Sequence, residues 1–184
     1  MRLRTILIMV AILITLGAAF YFFSSRPDPT PPAQPRPSVW QVEMDELKTI
    51  SISLPRAGKT ESWVKHEDRY WYFDEPDGPE VNTKRWGGGI PLLLSGPKAN
   101  RLIAENDTDE RMMVYGLADP QMRIQLSLEN GESIDIEVGD VTPDGGAYYI
   151  RLSDSRDVYT VDHTWYRVLE RLVLEPPYPE PEER

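Results

Sequence analysis

The 184-residue chain has no cysteine. That excludes disulfides, thiolate metal ligands, a thiol nucleophile and a lipid-modified N-terminal cysteine, so a folded domain must stand on its apolar core. Histidine is nearly as scarce. His66 and His163 are the two present, far apart in the chain, and neither has a second ligand at H-x-x-x-H spacing. No metal or cofactor is expected from such a set. A positive excess is also lacking: 20 Lys and Arg stand against 30 Asp and Glu, for a net charge of −10. The first 37 residues carry Arg2, Arg4, Arg26 and Arg36 against Asp28, or +3, so the remainder carries −13. That surface repels phosphate backbones, and nucleic acid is not an expected partner.

Catalytic signatures are missing as well. No G-x-S-x-G elbow is present. "WGGGIP" (86–91) has neither the P-loop spacing nor G-x-G-x-x-G after a strand, and reads as glycines that let a helix start pack closely. "NDTDE" (106–110) and "GDVTPDGG" (139–146) hold acids and glycines without the register of a calcium loop. Carboxylates are too numerous for any pair to be singled out for hydrolysis. The chain reads as a non-enzyme, with no catalytic, cofactor-binding or metal-binding residue to nominate.

What is present begins at the N-terminus. Thr5 to Phe23 is uncharged over 19 residues, about 28 Å of helix against a hydrocarbon layer of about 30 Å. The run is longer than a signal-peptide core and ends in "FYFF", aromatics suited to a membrane interface. It reads as a retained anchor over 5–23 rather than a cleaved leader. Arg2 and Arg4 place residues 1–4 in the cytoplasm and the body on the extracytoplasmic side, which makes a single-pass membrane protein. Residues 24–38 hold six prolines and read as a stiff polyproline-II spacer. Residues 39–174 form the domain, and 175–184 a Pro-rich acidic tail.

Within the domain, Ile50, Ile52 and Leu54 alternate with Thr49, Ser51 and Ser53, which predicts a half-buried strand. "ESWVKH" and "RYWYFDEP" follow as a hairpin. Side chains alternate along a strand, so "YWYF" must show aromatics on both faces, and Tyr70, Trp71 and Tyr72 become a candidate interaction surface. Residues 81–95 predict a helix weak in propensity, capped by Asn82, with Trp86, Ile90, Leu93 and Leu94 at helical spacing. "KANRLIAE" is a short strand or that helix continued, and "NDTDER" an exposed loop. Met122 to Val138 alternates regularly on both sides of Asn130-Gly131, which predicts a tight primed hairpin turn. "PDGG" (143–146) turns the chain again, and "AYYIRLS" and "DVYTV" are the next two strands. Asp162 then caps a helix with Trp165, Val168, Leu169 and Leu172 on one face. The fold class is α+β: antiparallel meanders with about two packing helices on one face, after the N-terminal transmembrane helix.

"VYGLADPQ" (114–121) combines residues that active loops favour, yet each has a backbone task. Gly116 tolerates positive φ, Asp119 is pushed towards extended geometry by Pro120, and Pro120 opens a strand where a missing N–H does least harm. Val114 and Leu117 are apolar enough to pin the turn to the core. Tyr115, Gly116, Leu117 and Pro120 therefore read as a structural motif joining two halves.

These motifs together resemble a bacterial family, domain of unknown function 4340. The resemblance rests on "ISISL", "YWYFDEP" with Trp71 and Pro76, "VYGLADP", "ENGESIDIEVGD" and "AYYIRLSDSRDVYTV", and spans roughly Trp40 to Leu172. It implies a membrane-anchored, envelope-facing α+β domain, in some members associated with ABC-type transport or gliding motility, and carries no catalytic residues. The expected function is an extracytoplasmic binding or accessory domain with membrane or envelope protein partners. A hydrolase using carboxylates and a small-ligand or glycan-binding module remain alternatives.

Overall fold

The computed structural model describes residues 3–24, 37–86 and 89–180. Most of the proline spacer (25–36) and the last four residues of the tail lie outside the described residues. Two compact units separate at Pro35–Arg36. The first contains helix α1 (Leu3–Ser24), 22 residues long, whose described apolar side chains are exposed. Among the described residues no helix is long and apolar enough to cross a membrane. The described side chains of α1 run only from Leu7 to Ala18, with Phe20 and Tyr21.

The second unit is an α+β domain built on one eight-stranded antiparallel sheet. Its strands are β1 (Leu47–Leu54), β2 (Lys59–Lys65), β3 (Trp71–Phe73), β4 (Arg101–Ala104), β5 (Met122–Leu128), β6 (Ser133–Val141), β7 (Ala147–Leu152) and β8 (Val158–Asp162). They lie in the order β3-β2-β1-β5-β6-β7-β8-β4. The helices are α2 (Thr83–Trp86), α3 (Ile90–Leu94), α4 (Asp109–Val114) and α5 (His163–Leu174). The first meander, β1 to β3, runs outward to one edge. The chain then passes through α2 and α3 to the opposite edge, adds β4 beside β8, and returns through α4 to the middle, where β5 pairs with β1.

Alternation decides the faces. Ile50, Ile52, Trp63, Ile124, Leu126, Ile136 and Ile150 are fully buried on one face, beneath Leu169, Leu172 and Val173 of α5. Each such side chain contributes about 1.5–3 kcal/mol by leaving water. Thr49, Ser51, Ser53, Arg123 and Gln125 point the other way, and that face is polar between β2 and β7.

Several expectations change. "NDTDER" is not an exposed loop: Thr108 accepts from the Arg111 N–H and starts α4, and Asp107 is buried. The helices are not confined to one face. Tyr148 stacks on Tyr166 of α5 at 3.9 Å, while its neighbour Tyr149 meets Tyr115 at the end of α4 on the far side at 4.7 Å. The helix expected over 81–95 is two short ones, broken around Gly89. Asn82 does cap the first, its Oδ1 accepting from the N–H groups of Lys84 (3.1 Å) and Arg85 (3.3 Å). "KANRLIAE" supplies edge strand β4. The Asn130-Gly131 turn is not a primed one: the N–H of Gly131 bonds the carbonyl of Leu128, that of Leu128 bonds Glu132, and Gly131 alone takes positive φ (+88°). This is the longer loop in which a left-handed glycine follows an ordinary turn.

Candidate functional site: a trough along the closing helix

Three segments converge on the outer side of α5. Asp162 starts this helix by accepting from the Thr164 N–H at 2.7 Å. Trp165, Tyr166, Leu169, Leu172 and Val173 are buried against the sheet and its neighbours, but Val168 stays 38% exposed. The expectation that Val168 shares the buried stripe is corrected: it stands on the shoulder of the helix, towards α3. Opposite it, α3 presents Ile90 and Leu93, with Leu92 65% exposed on the rim. The indole N–H of Trp165 donates to the carbonyl of Leu93 (3.1 Å), and that of Trp40 to Leu94 (2.8 Å), which ties α3 down at its C-terminal end.

The tail closes the third side. The Asn82 N–H donates to the carbonyl of Pro177 (2.8 Å), Arg85 Nη2 donates to the carbonyl of Glu175 (3.1 Å), and Tyr178 stacks flat on Phe73 at 4.0 Å. Burial, followed by the nearby Glu61 and Glu75, pushes the Tyr178 phenol above its ordinary value. The first residues of the tail are thus docked on β3 and α2.

Between these walls lies a cavity of about 500 Å³, floored by Trp86, Ile90, Leu93, Val168, Leu172 and Pro177 and rimmed by Arg85, Arg171 and Glu175. A second hollow of about 320 Å³ shares Gly89 and Leu93 with it and continues past Leu92 and Trp165 to Lys98 and Asp162. Sites for organic ligands and anchoring side chains have this character: concave, largely apolar, with a few polar groups at the mouth. At the rim, Arg171 is paired to Glu175 at 3.0 Å.

The residues singled out from sequence lie elsewhere. Tyr70 is 55% exposed and Trp71 half-buried; both line a smaller hollow of about 240 Å³ that backs onto Trp86. Tyr72 points to the other face, stacked on His66 at 4.2 Å, its hydroxyl donating to Asp68 at 2.7 Å. That hydrogen bond raises the phenol and lowers the carboxyl relative to their ordinary values.

Tyr115, Gly116 and Leu117 end α4. Gly116 takes φ +70° and its N–H bonds the carbonyl of Met113 (3.1 Å), while the Leu117 N–H reaches back to Met112 (2.9 Å). That paired closure is a Schellman stop, completed by apolar contact between Met112 and Leu117. Pro120 is buried, whereas Val114 is 76% exposed and pins nothing. Gly139 and Asp140 of β6 seal the turn. The Asp140 N–H donates to the carbonyl of Tyr115 (2.7 Å), and its carboxylate accepts from Gln121 (2.8 Å) and Arg56 (3.3 Å). Sequence reasoning named neither Asp140, Arg56 nor the trough, because each depends on segments far apart in the chain. Among the described residues no group of three or more acids and histidines is placed to hold a metal ion.

An antiparallel α+β domain with helices on both faces is thus the class the fold defines. Residues 92–172 match the model of DUF4340, a domain of unknown function, so this segment belongs to the family its motifs pointed to. The matched stretch runs from α3 to α5; β1, β2 and β3, which complete the sheet, lie before it. No curated protein and no solved structure matches the chain.

Proposed function

We propose that the chain is a single-pass membrane-anchored protein whose α+β domain lies on the extracytoplasmic side and works as a binding module, an accessory of a transport or other envelope complex. The uncharged run from Thr5 to Phe23 and the arginines before it support the anchor and its orientation. The family resemblance supports the accessory role. The observation that carries the binding reading is the apolar trough along α5, where Leu92 and Val168 stand exposed beside cavities of about 500 and 320 Å³. An apolar surface held open in this way marks a place of contact.

The test is a photo-crosslinking residue at position 168 of the full chain in intact membranes, with a second at position 53 on the polar sheet face as control. The expected result is a discrete protein adduct from position 168 and none from 53, with protease added outside spheroplasts digesting the domain. Adducts to lipid and to the chain itself alone, or a fully protected domain, would sink this reading.

A further inference from the structure

We infer that the groove between β3 and α2 reads a Pro-Pro-Tyr segment: the chain's own tail fills it in cis, and a partner protein's segment of the same pattern enters by displacing that tail. The site goes beyond the contact assigned to Leu92 and Val168, and stands or falls separately from it.

The seated tail shows what the groove recognises. Its backbone is read at two carbonyls, that of Glu175 by Arg85 Nη2 (3.1 Å) and that of Pro177 by the Asn82 N–H (2.8 Å). The Tyr178 N–H returns to the carbonyl of Pro176 (2.9 Å), a γ-turn centred on Pro177. Proline's locked φ is close to what the middle of that turn needs, and its missing N–H leaves no donor to bury. Pro177 is buried and shares a cavity wall with Trp86. The turn lays the Tyr178 ring flat on Phe73, at 4.0 Å with 1° between the planes. Carbonyls met by fixed donors, with rings laid on an aromatic floor, are how proline-rich peptides are bound.

The receptor side is built without the tail. Asn82 is held by its own cap on α2, where its side chain accepts from the Lys84 and Arg85 N–H groups. Phe73 pairs with Trp63 across the β2–β3 ladder and gives its N–H to Pro79 (3.0 Å). Trp63 in turn packs edge-on against Trp86 at 5.1 Å. The resident is held far more lightly. It adds no strand to the sheet, and the buried stripe of α5 stops before it, at Val173. Beyond Glu175, the Asn82 hydrogen bond and one ring, itself 42% exposed, hold it among the described residues. Such a segment opens locally while the sheet stays folded. A preformed groove with a lightly held occupant is open to exchange.

The experiment uses the full chain in detergent micelles, as wild type and as a Pro177→Ser, Tyr178→Ala variant that frees the groove. The probe is a labelled peptide of residues 174–180, LEPPYPE. Anisotropy is expected to show binding to the variant and roughly tenfold weaker binding to the wild type, where a resident at an effective concentration on the order of millimolar competes. A peptide with alanine for its tyrosine should not bind. Arg85→Ala should weaken the variant's binding about fivefold, the loss of one hydrogen bond. No binding to a variant that melts cooperatively, or equal affinity for variant and wild type, overturns the inference. A wild-type dimer that free peptide dissociates would assign the groove to a second copy's tail and overturn a separate partner. Should the variant not fold, the peptide with a photoreactive group at its tyrosine is added to the wild type at millimolar concentration. An adduct on residues 71–73 supports the groove; adducts elsewhere, or none, overturn it.

Discussion

Gly116 combines two constraints that no other residue type meets. Its φ of +70° lies in the left-handed region, and a side-chain carbon there would run into the Asp140 carboxylate and stand 2.8 Å from the Asp140 backbone nitrogen. The second contact is with backbone, so no rotamer change relieves it. Gly116→Ala is expected to destabilise the domain by more than about 1 kcal/mol, read as a lower urea midpoint with an unchanged slope. An unaltered midpoint would mean the turn is not held as described. Asp140 is the second partner in this joint, because its carboxylate holds both Gln121 and Arg56. The stretch that looked most like an active loop is a helix stop whose polar groups are occupied by one another.

Helix α5 shows how far an element can be read in advance. Asp162 as a cap and Trp165, Leu169 and Leu172 as the buried stripe were legible, because capping and helical period are local. So was the alternation of β5 and β6, where Ile124, Leu126, Ile136 and Val138 all turn inward. Val168 was misplaced because one stripe of a helix is wide enough to include its shoulder, and only α3 decides whether that shoulder is covered. Helix α4 was missed for a different reason. Its six residues begin inside an acidic run, and acids in a first turn resemble acids in a loop until the Thr108 cap is recognised. Capping also gives α5 a pH dependence. The Thr164 backbone N–H holds the Asp162 carboxyl below the usual carboxylate range. A lowered folded value means the stabilisation is present above the unfolded value of about 3.9 and is lost as pH falls through the folded one. Asp162→Ala should therefore cost about 1 kcal/mol at neutral pH. The gap in melting temperature between the two proteins should close as pH falls below the usual carboxylate range. A gap that stays constant with pH would assign the effect to something other than the charged cap.

At the scale of the whole domain, the order of the sheet ranks its parts by stability. Strand β1 pairs on both sides, with β2 over Thr49–Leu54 and with β5 over Leu47–Ser53, and its inward side chains are fully buried under α5. Strand β4 is a four-residue edge strand whose pairing with β8 slips in register after Leu102, and two of its side chains are exposed. The sequence separation in the β1–β5 pair spans both α2–α3 and the α4 joint, so the centre of the sheet forms only when the two halves meet. Opening the β4 edge costs one ladder, whereas opening β1 costs two ladders and the core beneath them. This domain-wide ordering was invisible in the sequence, where β1 is an alternating run and β4 a short, mostly apolar one, because it depends on which neighbour each strand finds. Native-state hydrogen exchange should show it directly. The amides of Ile50 and Ile52 should exchange only through global unfolding and track the stability measured in urea. Those of β4 should exchange through a local opening that denaturant barely affects. Gly116→Ala should then speed exchange in β1 and β5 together, since it weakens the junction that brings them side by side, and leave the local opening of β4 at its original rate. Equal protection in β1 and β4 would contradict the ranking and return the sheet to a single cooperative unit.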